Sequence, residues 1–578
     1  MSKKVADQIV EMLVSNNVKR IYAVTGDSLN ELNDAVRRDG RIKWIHVRHE
    51  EVGAYAAAAE AELDGLACCA GSSGPGHVHL INGLYDANRS GVPIIAIAST
   101  INTPEFGVDY FQSTNTYKLF DDCSVYNEIA TTPTQVPRML QTAIQNAIHK
   151  KGVAVFGLPG DVSAMPAIQS TTSMYNYNSE TVFRPSDNEM QKLADLVNKH
   201  PKISIFCGIG AREAHDDIVK LAGLLKAPIG YSFRGKMGMQ HNNPYEVGMT
   251  GLLGVPSAYH AMHESDVVIL LGTDFPYEHF MPVKNKIVQV DEKPERLGRR
   301  AKLEIGLTGK ITDTIAALLP LIKVKEDDSF LKAQLEFYKK VKENLNIYVA
   351  DSGSENHISP EYVATTIDEM ANDDTIFTVD TGMCCVWGAR YIRGTGKRMM
   401  LGSFNHGSMA NAMPMAIGAQ LAYPDRQVIA FCGDGGLSML LGDLATIKQY
   451  NLPIKLIVFN NRSLGMVQLE MQVEGLPNNE TNMVNPDFEL VAQAMGFKGI
   501  TVNHPDGVKK ALEDALSHDG PVLVSVFTNP QALAMPPKME FDQMKGYALS
   551  MSKMILGGNM DEVLEMVKTN YKHLKEVL

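Results

Sequence analysis

The chain has 578 residues, 45% hydrophobic and 21% charged, with a formal net charge of -12. At roughly 100 to 200 residues per domain this leaves room for three or four domains, and the composition is that of a globular protein. No apolar run approaches the ~18 residues of a membrane span, and the acidic balance without long basic clusters argues against nucleic acid as the main partner.

The opening Met1-Ser-Lys-Lys-Val-Ala-Asp7 runs into an amphipathic pattern with no apolar signal core, so a cytoplasmic protein is expected. Ile42 to Val47 reads as a strand and Val52 to Leu63 as an alanine-rich helix. Between them, Arg48-His49-Glu50-Glu51 puts Glu50 at a helix start beside strand ends. A carboxyl there is either a proton handler tuned by its surroundings or a side chain favoured by the helix dipole, and spacing alone favours the second. The seven cysteines form no CxxC and read as small apolar core residues of a reducing compartment.

Residues from about 182 to 345 have a βα rhythm of their own. Ile203 to Gly210, Asp266 to Gly272 and Lys286 to Asp291 each read as a strand closed by Gly or Asp. Asp291 at a strand end suits ribose hydroxyls, and Gly208, Gly210 and Gly272 suit close approach to a diphosphate; the absence of a complete GxGxxG leaves ordinary βα turns as the other reading. A polar linker, Lys323 to Ser329, and a helical stretch lead to Asp351-Ser-Gly-Ser-Glu355, where a third α/β unit begins.

In that unit, Gln427 to Cys432 and Ile454 to Phe459 read as buried strands with a helix between them from about Leu437. The first strand ends in Gly433-Asp434-Gly435-Gly436 and the second in Asn460-Asn461. The glycines let the backbone approach phosphate oxygens at a helix start. Asp434, the amide oxygen of Asn461 and a backbone carbonyl near Ser463 form the oxygen-only set a hard divalent ion such as Mg²⁺ takes from protein. The Gly-Asp-Gly run alone would fit a tight βα turn with a solvated Asp; the spaced Asn pair is what points to a metal and a diphosphate.

After Pro536-Pro537 and Gly557-Gly558, residues 559–578 show Met560, Val563, Leu564, Val567, Tyr571, Leu574 and Leu578 at spacings of three or four, an amphipathic helix. Its polar face mixes Lys568, Lys572 and Lys575 with acids, so it suits docking on protein as well as a lipid surface.

A shift of 360 residues lays Gly76 on Gly436 and Pro93 on Pro453, and sets Gly91 to Ala98 on Asn451 to Val458. The same βαβ unit then occurs twice, but the first copy has Gly74 and Ile101 at the metal-ligand positions, so only the second can hold the ion. Two parallel-sheet domains facing each other across a ligand are expected; chance similarity of two βαβ units is the competing reading.

Taken together, Thr25 to Asn30, Arg48 to Val52, Tyr110 to Gln112, Leu158 to Val162, Phe233 to Lys236, Asn243 to Thr250, Leu271 to Tyr277, Gly402 to Pro414 and the diphosphate motif carry a resemblance over essentially the whole chain. The chain resembles thiamine-diphosphate-dependent 2-oxo-acid decarboxylating enzymes, and within them the group of pyruvate oxidase and quinone-linked pyruvate dehydrogenase. The resemblance implies three doubly wound parallel-sheet α/β domains: a pyrimidine-binding domain over 1–181, an FAD-binding middle domain over 182–345 and a diphosphate- and Mg²⁺-binding domain over 346–530. A tail, 531–578, follows. It implies that Glu50 meets the aminopyrimidine ring, that Met409 supports a bent cofactor, and that Gly382, His406, Gly407 and Ser408 join the diphosphate motif in holding it. Arg234, Gly251, Gly272, Thr273, Phe275 and Asp291 fall in the strings for FAD. Phe111, Gln112, Val467 and Glu470 fall where members line the substrate pocket or shape the flavin side.

The implied reaction is oxidative decarboxylation of pyruvate to acetate and carbon dioxide through hydroxyethyl-thiamine diphosphate, electrons passing through FAD to a quinone. An oxygen-using oxidase forming acetyl phosphate and hydrogen peroxide, and an acetolactate-synthase-type carboligase, stand as alternatives. Active sites between subunits of a homotetramer, and a tail that reaches the membrane as a peripheral contact, are implied as well. Thr381 stands where close relatives often carry Val, and Met466 where they carry Phe, so pyruvate is a preference among 2-oxo acids.

Overall fold

The structure, a computed structural model, describes residues 3–177, 179, 181–532, 549–551, 553, 564 and 569. But for residues 564 and 569, the amphipathic helix expected over 559–578 lies outside them.

Three six-stranded sheets follow one another along the chain. The first holds β1 (Arg20–Ala23), β2 (Lys43–His46), β3 (Ala67–Gly71), β4 (Ile94–Thr100), β5 (Tyr126–Ile129) and β6 (Val153–Pro159), in the order β2-β1-β3-β4-β6-β5. The second holds β7 (Ile203–Cys207), β8 (Ile229–Tyr231), β9 (Glu246–Met249), β10 (Val267–Leu271), β11 (Lys286–Asp291) and β12 (Ile305–Thr308), ordered β12-β11-β10-β7-β8-β9. A short antiparallel pair, β13 (Gly353–Ser354) and β14 (His357–Ile358), precedes the third sheet. That sheet holds β15 (Ile376–Val379), β16 (Met399–Gly402), β17 (Val428–Gly433), β18 (Lys455–Asn460), β19 (Lys498–Val502) and β20 (Val522–Phe527), in the order β16-β15-β17-β18-β20-β19. All pairings in the three sheets are parallel.

The central strands are apolar and buried along their whole length, as both faces of a parallel sheet are covered by helices. The first and third sheets have one strand order when each is counted from its own first strand, so the sequence repeat is a repeat of topology. The middle sheet is wound differently, with the order reversing between β7 and β10, where ligand crevices form in such sheets.

The outer domains share one apolar core. In it the helix Glu50–Asp64, with alanine at 54 and 56 to 59, packs against the helix Ala412–Ala422. The backbones approach so closely that a Cβ on Gly418 would stand 2.0 Å from the Ala56 carbonyl oxygen. These two helices, each following the second strand of its own sheet in the repeated topology, are thus packed on each other. The middle domain keeps cores of its own. All seven cysteines are buried and unbridged, as small apolar residues.

The expected division at 345/346 falls within the helix Ser329–Ala350, and one boundary at the site also differs from expectation. The helix after the diphosphate motif begins at Asp434, not near Leu437. Gly435 and Gly436 therefore lie in its first turn, where backbone N–H groups have no helical partner.

Candidate active site

The first half-site lies past the carboxyl ends of β2 and β3. His49 caps the helix by accepting from Glu51 N at 3.2 Å, which sets Glu50 as its first residue. The Glu50 side chain is buried, with Oε2 hydrogen-bonded to His79 Nδ1 at 3.0 Å, and His79 stacks on His49 with ring centroids 4.6 Å apart. Glu50 Oε1 lies 3.3 Å from where a Gly76 Cβ would be, and the Gln112 Cβ lies 2.8 Å from that of Gly74. Ser73 Oγ donates to Gln112 Oε1 at 3.0 Å. The turn from Ser72 to Gly76 thus has Gln112 against its Ser73–Gly74 part and Glu50 against Gly76, and Phe111, next to Gln112 in the chain, is 78% exposed.

The second half-site lies past β15, β17 and β18. Asp434 Oδ2 accepts from Arg462 N at 2.7 Å and from Asn485 Nδ2 at 2.8 Å, so the turn bearing Asn461 and Ser463 rests on it. Asn461 Oδ1 accepts from Ser463 N at 3.0 Å. Burial pushes the Asp434 carboxyl up, the direction that a bound cation would reverse. Asp380, at the end of β15, is fully enclosed and accepts from Ala412 N at 2.7 Å and from Gly433 N at 3.2 Å. Its Oδ2 would lie 2.4 Å from a Cβ on Gly436, so position 436 admits no larger residue. Burial pushes the Asp380 carboxyl up to about 7. Met409 Cε lies 3.2 Å from where a Gly435 Cβ would be. Val467 and Glu470 lie on the exposed side of the helix Gly465–Val473, which starts against Asn461 and Met383.

These residues fit a metal-bound diphosphate. One carboxylate, one amide oxygen and backbone carbonyls match a hard cation that takes few protein ligands. Gly382 and Gly407, both at positive φ, have no atom within 4 Å of a Cβ position, which leaves an open cradle beside the motif.

In the middle domain Arg234, Gly251, Gly272, Thr273 and Asp291 all lie at or just past strand carboxyl ends, on one edge of the sheet. That edge is the ligand crevice of such folds, which fits a dinucleotide. Asp291 accepts from Lys293 N at 2.9 Å, and burial pushes its carboxyl up. Gly210 N donates to the Gly272 carbonyl at 3.1 Å, so these two loops touch each other. Arg234 Nη2 donates to the Ser90 carbonyl at 3.2 Å, tying the middle domain to the first. Phe275 is 5% exposed, its ring against Phe206 in a local core, so it shapes the crevice from beneath.

Between the outer domains of one chain runs a polar seam. Asn82 Nδ2 donates to Glu51 Oε1 at 2.8 Å and to Ser408 Oγ at 3.1 Å, and Asn82 Oδ1 is bonded to His406 Nε2 at 3.0 Å. Ser403 Oγ donates to Asp86 Oδ1 at 2.8 Å. The segment 406–409 is thereby held by the first domain of its own chain.

Asp380, Asn485 and His79 escaped the sequence reading. Asp380 carries the strand-end signal that marked Asp291; Asn485 and His79 carry none, because their partners are distant in the chain.

Models of the thiamine pyrophosphate enzymes match three stretches: the N-terminal TPP binding domain at residues 3–119, the central domain at 190–318 and the C-terminal TPP binding domain at 380–526. A putative thiamine pyrophosphate-containing protein, YdaP, of Bacillus subtilis is 34% identical over 96% of this chain and 96% of its own. Pyruvate oxidase of Lactiplantibacillus plantarum is 30% identical over 89% of this chain and 87% of its own. A probable acetolactate synthase large subunit of Methanocaldococcus jannaschii is 29% identical over 92% of this chain and 93% of its own.

Proposed function

Because this chain belongs to the thiamine pyrophosphate enzymes, we propose that it oxidises pyruvate, water supplying the oxygen, to acetate and carbon dioxide, with FAD passing the two electrons to a quinone. The observation that carries the reading is Glu50, enclosed against the turn from Ser72 to Gly76 that Gln112 also borders, in a chain similar to a pyruvate oxidase along nearly its whole length.

When bound, thiamine diphosphate supplies a carbon nucleophile and an electron sink for decarboxylation, and FAD a two-electron acceptor. The chain's residues hold and orient. Asp434, Asn461 and the Ser463 backbone would hold Mg²⁺ and through it the diphosphate, with the first-turn N–H of Gly436 available to the same anion, while that of Gly435 is taken by Asp434 Oδ1 at 2.9 Å. Met409, whose Cε lies against the Gly435 position, would offer the cofactor an apolar support. His79 engages Glu50 Oε2, which leaves Glu50 Oε1 as the oxygen that would exchange a proton with a bound aminopyrimidine ring. Phe111 and Gln112 meet Val467 and Glu470 around the 2-oxo acid, the two half-sites coming from two copies of the chain in a homotetramer. Arg234, Gly251, Gly272, Thr273, Phe275 and Asp291 hold the flavin nucleotide.

Pyruvate added without oxygen is expected to bleach the bound flavin and release carbon dioxide, and a ubiquinone or menaquinone analogue to restore the flavin faster than oxygen does. A flavin that stays oxidised overturns the oxidative reading. Acetolactate formed without flavin reduction would select carboligation, which similarity to the acetolactate synthase subunit supports as the second reading. Among the described residues no helix is long and apolar enough to cross a membrane. Lipid vesicles in the same assay test whether the tail makes a peripheral contact.

A further inference from the structure

The loop that carries Glu50 is gripped by the far end of its own chain. Edge strand β2 and the residues after it run beside the helix Leu444–Gln449. Asp443 Oδ1 accepts from Arg48 N at 2.8 Å, and Tyr450 Oη accepts from His46 N at 2.7 Å while donating to the Trp44 carbonyl at 3.3 Å. Gln449 Oε1 accepts from Arg48 Nη2 at 2.7 Å, and Thr446 Oγ1 steadies Asp443 Oδ1 at 2.7 Å. Asp443, Thr446 and Tyr450 recur at three and four residues, so one helix face presents all three. Asp443 is 1% exposed, and burial pushes its carboxyl up; the buried acid satisfies the Arg48 backbone N–H and the Thr446 hydroxyl.

We propose that Asp443, with Tyr450 behind it, is a positioning residue for Glu50. Arg48 lies two residues before Glu50, and its amide is the last backbone group of the loop held from outside the first domain before the His49 cap begins the helix. Losing that acceptor leaves the amide unpaired and lets the loop pivot, which turns Glu50 Oε1 away from its direction. A misplacement of about 1 Å in a reacting group costs about 100-fold in rate. Asp443 also closes the stretch that Asp434 opens, since the helix Asp434–Met439 leads directly to it. The segment that provides a metal ligand for one half-site therefore steadies the proton handler of the other half-site in the same chain. The inference rests on the reading of Glu50 given above.

Two readouts test it, one of them free of cofactor. In the cofactor-free chain, Asp443→Ala is expected to speed amide hydrogen exchange at Arg48 by about tenfold, and Asp443→Asn, whose amide oxygen still accepts, to leave it unchanged. In protein loaded with Mg²⁺ and thiamine diphosphate, Asp443→Ala is expected to slow exchange of the thiazolium C2 proton by about 10- to 100-fold with cofactor affinity unchanged, and Asp443→Asn to restore it. Tyr450→Phe, which keeps the ring, is expected to act in the same direction more weakly, and it carries the test if Asp443→Ala does not fold. Asp443→Ala exchanging C2 at the wild-type rate while Glu50→Gln is slow overturns the inference and spares the Glu50 reading. Asp443→Asn as slow as Asp443→Ala also overturns it, since the charge and not the acceptor would then matter. Glu50→Gln at the wild-type rate overturns the Glu50 reading itself and the inference with it.

Discussion

At the scale of the residue, enclosed carboxylates organise the protein, and each does so through a different physical term. Asp434 is the one acid of the proposed Mg²⁺ ligand set, so Asp434→Ala is expected to cost roughly 100-fold or more in activity and in Mg²⁺-dependent cofactor binding while the far-UV spectrum is unchanged. Asp86 works differently, for burial in the interdomain seam pushes its carboxyl up to about 7. The unfolded chain releases that proton near pH ~4, so between about pH 4 and 7 the native state binds the extra proton and stability falls as pH rises. Asp86→Asn keeps an acceptor for Ser403 Oγ and removes the charge. Melting curves are expected to coincide with wild type near pH 4 and to lie above it at pH 8; parallel curves across the range would contradict this. Asp434 was legible in the sequence because a motif with a spaced partner announces its chemistry locally. Asp86, Asp380 and Asp443 were not, because nothing in their neighbouring residues records which distant backbone or hydroxyl group they satisfy.

At the scale of the element, strand ends carry the function and one helix pair carries the architecture. The helix Glu50–Asp64 begins with Glu50, the proposed proton handler, and continues as the alanine face that meets Ala412–Ala422. Small residues are needed there, since the Gly418 Cβ position is 2.0 Å from the Ala56 carbonyl. Gly418→Val is expected to destabilise by about 1–3 kcal/mol, as overpacking does, and to lower the midpoint of thermal denaturation; an unchanged midpoint would mean that the pair can separate. The alanine run was legible as a helix from its period, yet its partner was not, because alanine repeats specify closeness without specifying to what. The onset of the diphosphate helix was misplaced by the same limitation. Two glycines read as a loop by propensity, while Asp434 and the turn laid upon it start the helix earlier.

At the scale of the whole molecule, the outer domains form one unit across a shared core and the middle domain a separate one. A fragment of residues 1–181 alone would expose the alanine face and is expected to bind a hydrophobic dye and aggregate. A fragment of residues 182–350 retains its sheet and its own cores and is expected to melt cooperatively. Cooperative melting of the first fragment without dye binding would contradict the shared core.

By itself the sequence determined the parallel α/β class, the duplication of the outer domains and the burial of the cysteines, and it pointed to a metal and a diphosphate at the Gly433 to Asn461 motif. All of these are written in period, spacing and residue type over short stretches, where local sterics and hydrophobic burial act. Only the tertiary structure decided that the two copies pack on each other through their alanine and glycine faces, that Glu50 and Gln112 border the same turn from Ser72 to Gly76, and that loops of each outer domain are held by the other. These depend on contacts between segments almost 400 residues apart, such as Arg48 and Asp443, and close packing with hydrogen-bond satisfaction selects such contacts only once the chain is folded.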